Sequence, residues 1–157
     1  MTLMAPDFHD LMEAALEEAR KGFSLGEVPV GAVLATADGR VVSRAHNRPV
    51  ALCDPTAHAE ILVMRKAAQA FHNYRLTDTI LVVTIEPCLM CMGAALHARV
   101  ARLVFGAFDA KAGAAGSLYD LAADERLNHT MAVTSGIMAP ECRALIQDFF
   151  RARRATG

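Results

Sequence analysis

Two short segments of this sequence concentrate residues that could do chemistry: PTAHAE at 55–60 and EPCLMC at 86–91. Together they offer an imidazole (His58), two thiols (Cys88 and Cys91) and a carboxylate (Glu60). One imidazole and two thiolates suit zinc. Three protein ligands leave the fourth tetrahedral position open for water, as in catalytic rather than structural zinc sites. Glu60 is then free to move protons. The two thiolates and a neutral imidazole cancel the charge of the ion, so a water held there gains from a nearby base. Cys53 offers an alternative, because a fourth ligand would close the site and make it structural. Cys-x-x-Cys taken alone also fits half of a structural zinc site or a redox pair.

Such a set needs two elements that aim at one point. Cys88 and Cys91 are three apart, so at the first turn of a helix both thiols can face the same spot. The positive end of that helix favours the thiolate form. Pro87 suits the first turn, and the pattern predicts a helix from Cys88 to about Ala98. His58 and Glu60 are two apart and diverge on a regular helix. They can serve one ion only if it lies in front of a helix start, which Pro55 and Thr56 fit; the helix then runs to about Phe71.

The continuous apolar run TILVVTI (79–85) reads as a buried central strand. Apolar residues Phe8, Leu11, Met12, Ala15 and Ala19 predict a helix from Asp7 to about Gly22, with Gly22 as its stop. VPVGAVLA and RVVSRAHN flank the turn TADGR as a hairpin. ARLVFGA (101–107) is a further strand, followed by the Gly-containing loop AKAGAAGS, a short strand at 131–134 and a helix from about Glu141 to Arg153. The result is one α/β sandwich with a mixed sheet, a single domain over 1–157 with an ordered core at about 7–154.

At 157 residues, 54% hydrophobic and 21% charged, the chain reads as folded. No apolar run approaches the roughly 20 residues that span a bilayer, and the acidic N-terminus is unlike a secretory signal. A cytoplasmic address follows as the default, with four reduced cysteines. A net charge of -1 gives no global nucleic-acid footprint. The terminal FFRARR is basic and aromatic; it reads equally as a last helical turn suited to the helix dipole or as an RNA contact.

His-x-Glu joined to Pro-Cys-x-x-Cys is the pattern of zinc deaminases of bases and nucleosides. Beyond it, VPVGAVL, HNRP, DPTAHAE, NYRL, EPCLMC, VFGAFDAKAGAAGS, Asn128-His129 and FFRARR make the chain closely resemble the bacterial tRNA-specific adenosine deaminases. The zinc motif is shared with cytidine, cytosine and guanine deaminases; DPTAHAE, NYRL and DAKAGAAGS are more selective.

The resemblance implies a three-layer α/β/α cytidine deaminase-like domain with a mixed five-stranded sheet, forming a homodimer with one catalytic zinc per subunit and no nucleotide cofactor. It implies hydrolytic conversion of adenosine to inosine at wobble position 34 of a tRNA anticodon, typically in an arginine tRNA. His58, Cys88 and Cys91 would be the zinc ligands, the zinc-bound water the nucleophile and Glu60 the proton shuttle. Asn47 matches a base- or ribose-contacting position, and Asp109 one close to the flipped nucleotide. Ala59, Pro87, Lys111, Asn128, His129, Phe149, Phe150 and Arg153 complete the implied substrate contacts. Phe108 stands where relatives often carry arginine, and Ala112 where threonine is usual. Loss of a cation at 108 weakens phosphate contact, whereas an aromatic there can stack on a base for about 1–3 kcal/mol.

Overall fold

A computed structural model describes residues 5–156. Helix α1 (Phe8–Ser24) precedes a hairpin of β1 (Gly31–Thr36) and β2 (Val41–His46). A one-turn helix α2 (Pro49–Leu52) leads to α3 (Ala59–Phe71), β3 (Thr79–Ile85) and α4 (Leu89–Ala98). Strands β4 (Arg102–Ala107) and β5 (Ala132–Thr134) and helix α5 (Ala139–Thr156) complete the chain. The five strands form one sheet in the order β2-β1-β3-β4-β5. β1 pairs antiparallel with β2 and β3, while β3–β4 and β4–β5 are parallel, as crossover connections require.

Alternation along the central strands feeds two apolar layers. Leu81, Val83, Leu103 and Phe105 face Val63, Met64, Cys91, Met92 and Ala95 of α3 and α4. Ile80, Val82 and Val104 face Leu11, Met12, Ala15 and Leu16 of α1 and Cys142 of α5. Both faces of β3 and β4 are therefore buried, which is why their sequences are apolar throughout. At Gly31 the first helix and first strand touch: a Cβ there would lie 1.9 Å from Ala15 O. Cys142 is buried in this layer, and its burial pushes the thiol up to about 12, well outside the reactive range.

The structure corrects several local expectations. Gly22 does not stop α1; it is buried inside the helix against His46, and the chain leaves at Leu25 and Gly26. Pro87 precedes the N-cap of α4 instead of occupying its first turn, because Cys88 is extended (φ -79°, ψ 177°). Thr56 does not cap α3. Its amide and hydroxyl both donate to Asp54 Oδ1 in a turn, and the N-cap is His58. Helix α5 begins two residues before the expected Glu141, with Pro140 in its first turn, where a missing N–H costs nothing.

Candidate active site

Both halves of the cluster sit at helix N-termini. His58 is the N-cap of α3 and Cys88 the N-cap of α4, and neither side chain makes a capping hydrogen bond. Their rings and thiols are thus free to point outward from two positive helix ends. His58 Nδ1 lies 3.6 Å from Cys88 Sγ and 3.5 Å from Cys91 Sγ. A tetrahedral zinc with Zn–S near 2.3 Å and Zn–N near 2.0–2.1 Å would set sulfur and nitrogen about 3.6 Å apart. Both observed sulfur–nitrogen separations match that geometry, and the three ligand atoms all lie within 4.8 Å of one another. Among the described residues this is one group of donors close enough to hold a metal ion, and Cys53 is not in it. Cys53 is exposed at the left-handed C-cap of α2 (φ 48°), so the closed, four-ligand alternative is not built.

The electrostatics favour a cation at the centre of the triangle. Hydrogen bonds from Cys91 and His58 push the Cys88 thiol down to about 3. The same Cys88 contact, with burial, pushes Cys91 up. A divalent ion held there would let both serve as thiolates. His58 is raised, first by its hydrogen bond to Cys88 and, against the pull of burial, by the Glu60 charge. Glu60 is 3% exposed. Burial drives its carboxyl up to about 7, opposed by its own backbone N–H, by His58 and by the Cys91 thiol. A carboxyl in this range can both accept and release a proton near neutrality.

Two loops frame the cluster. In the 47–58 loop, Asn47 Oδ1 accepts the Ala59 N–H at 2.8 Å and its own N–H donates to Val30 O at 3.0 Å, fixing the start of α3. The buried Glu27 accepts the N–H groups of Val50 and Ala51 and so caps α2. In the 108–117 loop, Asp109 Oδ1 accepts from Lys111 and Ala112 N–H. Ala114 N–H donates to Pro87 O at 2.8 Å. A groove of about 670 Å³ runs between this loop and α5, lined by Val30, Ile85, Phe108, Lys111, Arg143 and Phe150 among others.

Residues 6–107 match the cytidine and deoxycytidylate deaminase zinc-binding region. The chain is 49% identical to the tRNA-specific adenosine deaminase of Haemophilus influenzae, covering 92% of this chain and 83% of that protein. It is 45% identical to the tRNA-specific adenosine deaminase of Bacillus subtilis, covering 91% and 88%. The chain belongs to the tRNA-specific adenosine deaminase family. A solved structure from a study of A-to-I editing by tRNA:A34 deaminases at the wobble position of transfer RNA superposes with a TM-score of 0.83. It is 44% identical and covers 87% of this chain and 98% of its own. The mixed five-stranded sheet flanked by helices is thus the family's cytidine deaminase-like fold, and the chain is a hydrolytic deaminase.

The residues expected to contact substrate fall into three places. Asn47, Ala59 and Pro87 are buried beside the ligands, Ala59 and Pro87 through the backbone bonds just described. Asp109, Lys111 and Phe150 border the groove, and Arg153 lies on the same helix over the Phe149 ring at 5.2 Å. Phe149 itself is 4% exposed and packs edge-on against Phe23 and Phe150, so its neighbour carries the exposed ring. Asn128 and His129 lie elsewhere. They line a cleft with His97 and Arg99 at the C-terminal end of α4, about two turns of helix beyond Cys91. His129 Nε2 faces Val100 O at 2.8 Å. Sequence reasoning missed Glu27 and Glu86, whose partners are mostly backbone amides, which leave no side-chain signature.

Proposed function

We propose that this chain deaminates adenosine to inosine at the wobble position of a tRNA anticodon, acting as a homodimer on an arginine tRNA. The observation that carries the reading is the His58–Cys88–Cys91 triangle with a fully buried Glu60 against it, in a chain so similar to tRNA-specific adenosine deaminases. His58, Cys88 and Cys91 would hold zinc, which supplies a Lewis acid that makes water a nucleophile at neutral pH.

The chain's own groups do the rest. Hydrolysis forms a C–O bond at the amine-bearing carbon and releases ammonia, so protons must reach the purine ring and the departing nitrogen. Glu60 takes the proton from water and delivers it to the ring, then assists the leaving amine. Its burial supports this, because the carboxyl stays in the range where it can carry a proton either way. Asn47 Oδ1 is engaged by Ala59, so its amide NH2 is the group left for a base or ribose. Lys111, Arg143, Arg151 and Arg154, around the groove and along α5, suit a phosphate backbone, and exposed Phe108 and Phe150 suit stacking. Exposed Val50, Leu52 and Leu89 offer apolar surface for a second subunit.

Incubation with total tRNA from a deaminase-deficient host, followed by inosine mapping, tests the reading. Inosine at the first anticodon position is expected. Turnover of free guanine, cytosine or cytidine with tRNA untouched would overturn it.

A further inference from the structure

Glu86 is a buried carboxylate two residues ahead of Cys88 that the chemistry above leaves unused; its side chain is 3% exposed. Oε1 accepts the Asp109 N–H at 2.9 Å, and Oε2 accepts the N–H groups of Ala115 and Ser117 at 3.0 Å each. The Ser117 hydroxyl donates to Oε1 as well. Two backbone bonds run alongside: Glu86 N–H to Ala107 O at 2.9 Å and Ala114 N–H to Pro87 O at 2.8 Å. Gly113 closes over the carboxylate so tightly that a Cβ would sit 2.2 Å from Glu86 Cδ.

At its centre Ala114 and Ala115 pack into the apolar core, but the flanks on either side have little besides Glu86 to fix them. Phe108, Ala110, Lys111 and Ala112 are exposed, as are residues 116–120. Gly113, Gly116, Leu118 and Tyr119 bond through their backbone N–H groups to carbonyls of the same segment. Such a segment belongs to the low-stability end of a fold unless something pins it. The pin is chemically specific. A carboxylate accepts through two oxygens, whereas a glutamine of the same shape has one acceptor and turns N–H donors toward N–H donors.

We propose that Glu86 is a positioning residue: its carboxylate fixes the loop that presents Phe108, Asp109 and Lys111 to RNA at a set distance from the ligands Cys88 and Cys91. The proposal rests on the reading of this chain as an RNA adenosine deaminase. Glu86 is neither a member of the ligand triangle nor a residue lining the groove, and it reaches the groove only through the backbone N–H of Asp109, so its effect on catalysis passes through the loop. In the zinc-loaded protein, Glu86→Gln leaves zinc content unchanged and raises KM for an anticodon stem-loop about tenfold or more. The accompanying fall in kcat is smaller.

Hydrogen exchange measured without substrate supplies the second readout. The amides of Asp109, Ala115 and Ser117 exchange about tenfold faster or more in Glu86→Gln, while β3 amides keep their native rates. Should that variant not fold, Ser117→Ala removes its hydroxyl donor and is read at the same amides, with a smaller acceleration. Native exchange at those amides in the folded variant, or loss of zinc with faster exchange throughout the sheet, would overturn the proposal. Absence of inosine with the native protein would sink the substrate reading alone, since exchange still decides whether Glu86 holds the loop.

Discussion

Glu60 follows His58 by two residues and Glu86 precedes Cys88 by two; both are 3% exposed, yet their carboxyls are shifted in opposite directions. At Glu60, burial wins and the carboxyl rises to about 7, because its own backbone N–H, His58 and Cys91 offset only part of the desolvation. At Glu86, burial is again the largest single influence and pushes upward. The Ser117 hydroxyl and the N–H groups of Asp109, Ser117 and Ala115 together outweigh it, and the carboxyl is lowered. Burial sets the cost of the charge; the number of donors decides whether it is kept. One glutamate is left able to carry a proton, and the other is a fixed anion that organises backbone.

The largest perturbation is aimed at the ligand triangle itself. Cys88→Ala is expected to lose zinc and activity together, read by metal analysis and inosine formation; stoichiometric zinc in that variant would refute the ligand assignment. Next comes pH. In metal-free protein the Glu60 carboxyl rises on folding from 4.5 to about 7, so it opposes folding progressively as pH climbs through that window. The stability of Glu60→Gln relative to the native chain should therefore grow from pH 4.5 to 7 by on the order of 3 kcal/mol in urea titrations. A flat difference would break the contrast.

Glu86 should behave with the opposite sign. Its lowered carboxyl stabilises the fold above the ordinary 4.5, and that stability is lost as pH falls through the folded value. At pH 7, Glu86→Gln is expected to cost about 1.5–3 kcal/mol, measured by urea unfolding. The smallest effect lies at the edge of the clamped loop. Phe108 is 56% exposed and rests edge-on against Phe105. Phe108→Arg should steepen the salt dependence of RNA affinity by about 0.7 in log–log slope while leaving zinc and unfolding unchanged. An unaltered slope would place residue 108 away from phosphate.

Much of this site was legible in the sequence because it depends on side-chain type and short spacing. His58, Glu60, Cys88 and Cys91 are recognisable as a set, and the need for an ion in front of a helix start followed from His58 and Glu60 being two apart. The apolar runs of β3 and β4 announced their burial on both faces. What was hidden depends on backbone and on long-range closure. Helix α2 has four residues, too few for any periodic signal. Three of the donors that hold Glu86 are backbone amides 23 to 31 residues away, indifferent to which side chains they carry, and the fourth, the Ser117 hydroxyl, is as distant in sequence. Gly22 looked like a helix stop because a glycine needed for packing against His46 reads the same as one needed for a turn.

The most direct test is single-turnover inosine formation on an anticodon stem-loop by native and Glu60→Gln proteins with equal zinc content. The account predicts inosine at the first anticodon position with the native protein, and a rate lower by about 10²–10⁴-fold in the variant. Native rates in zinc-loaded Glu60→Gln would contradict it.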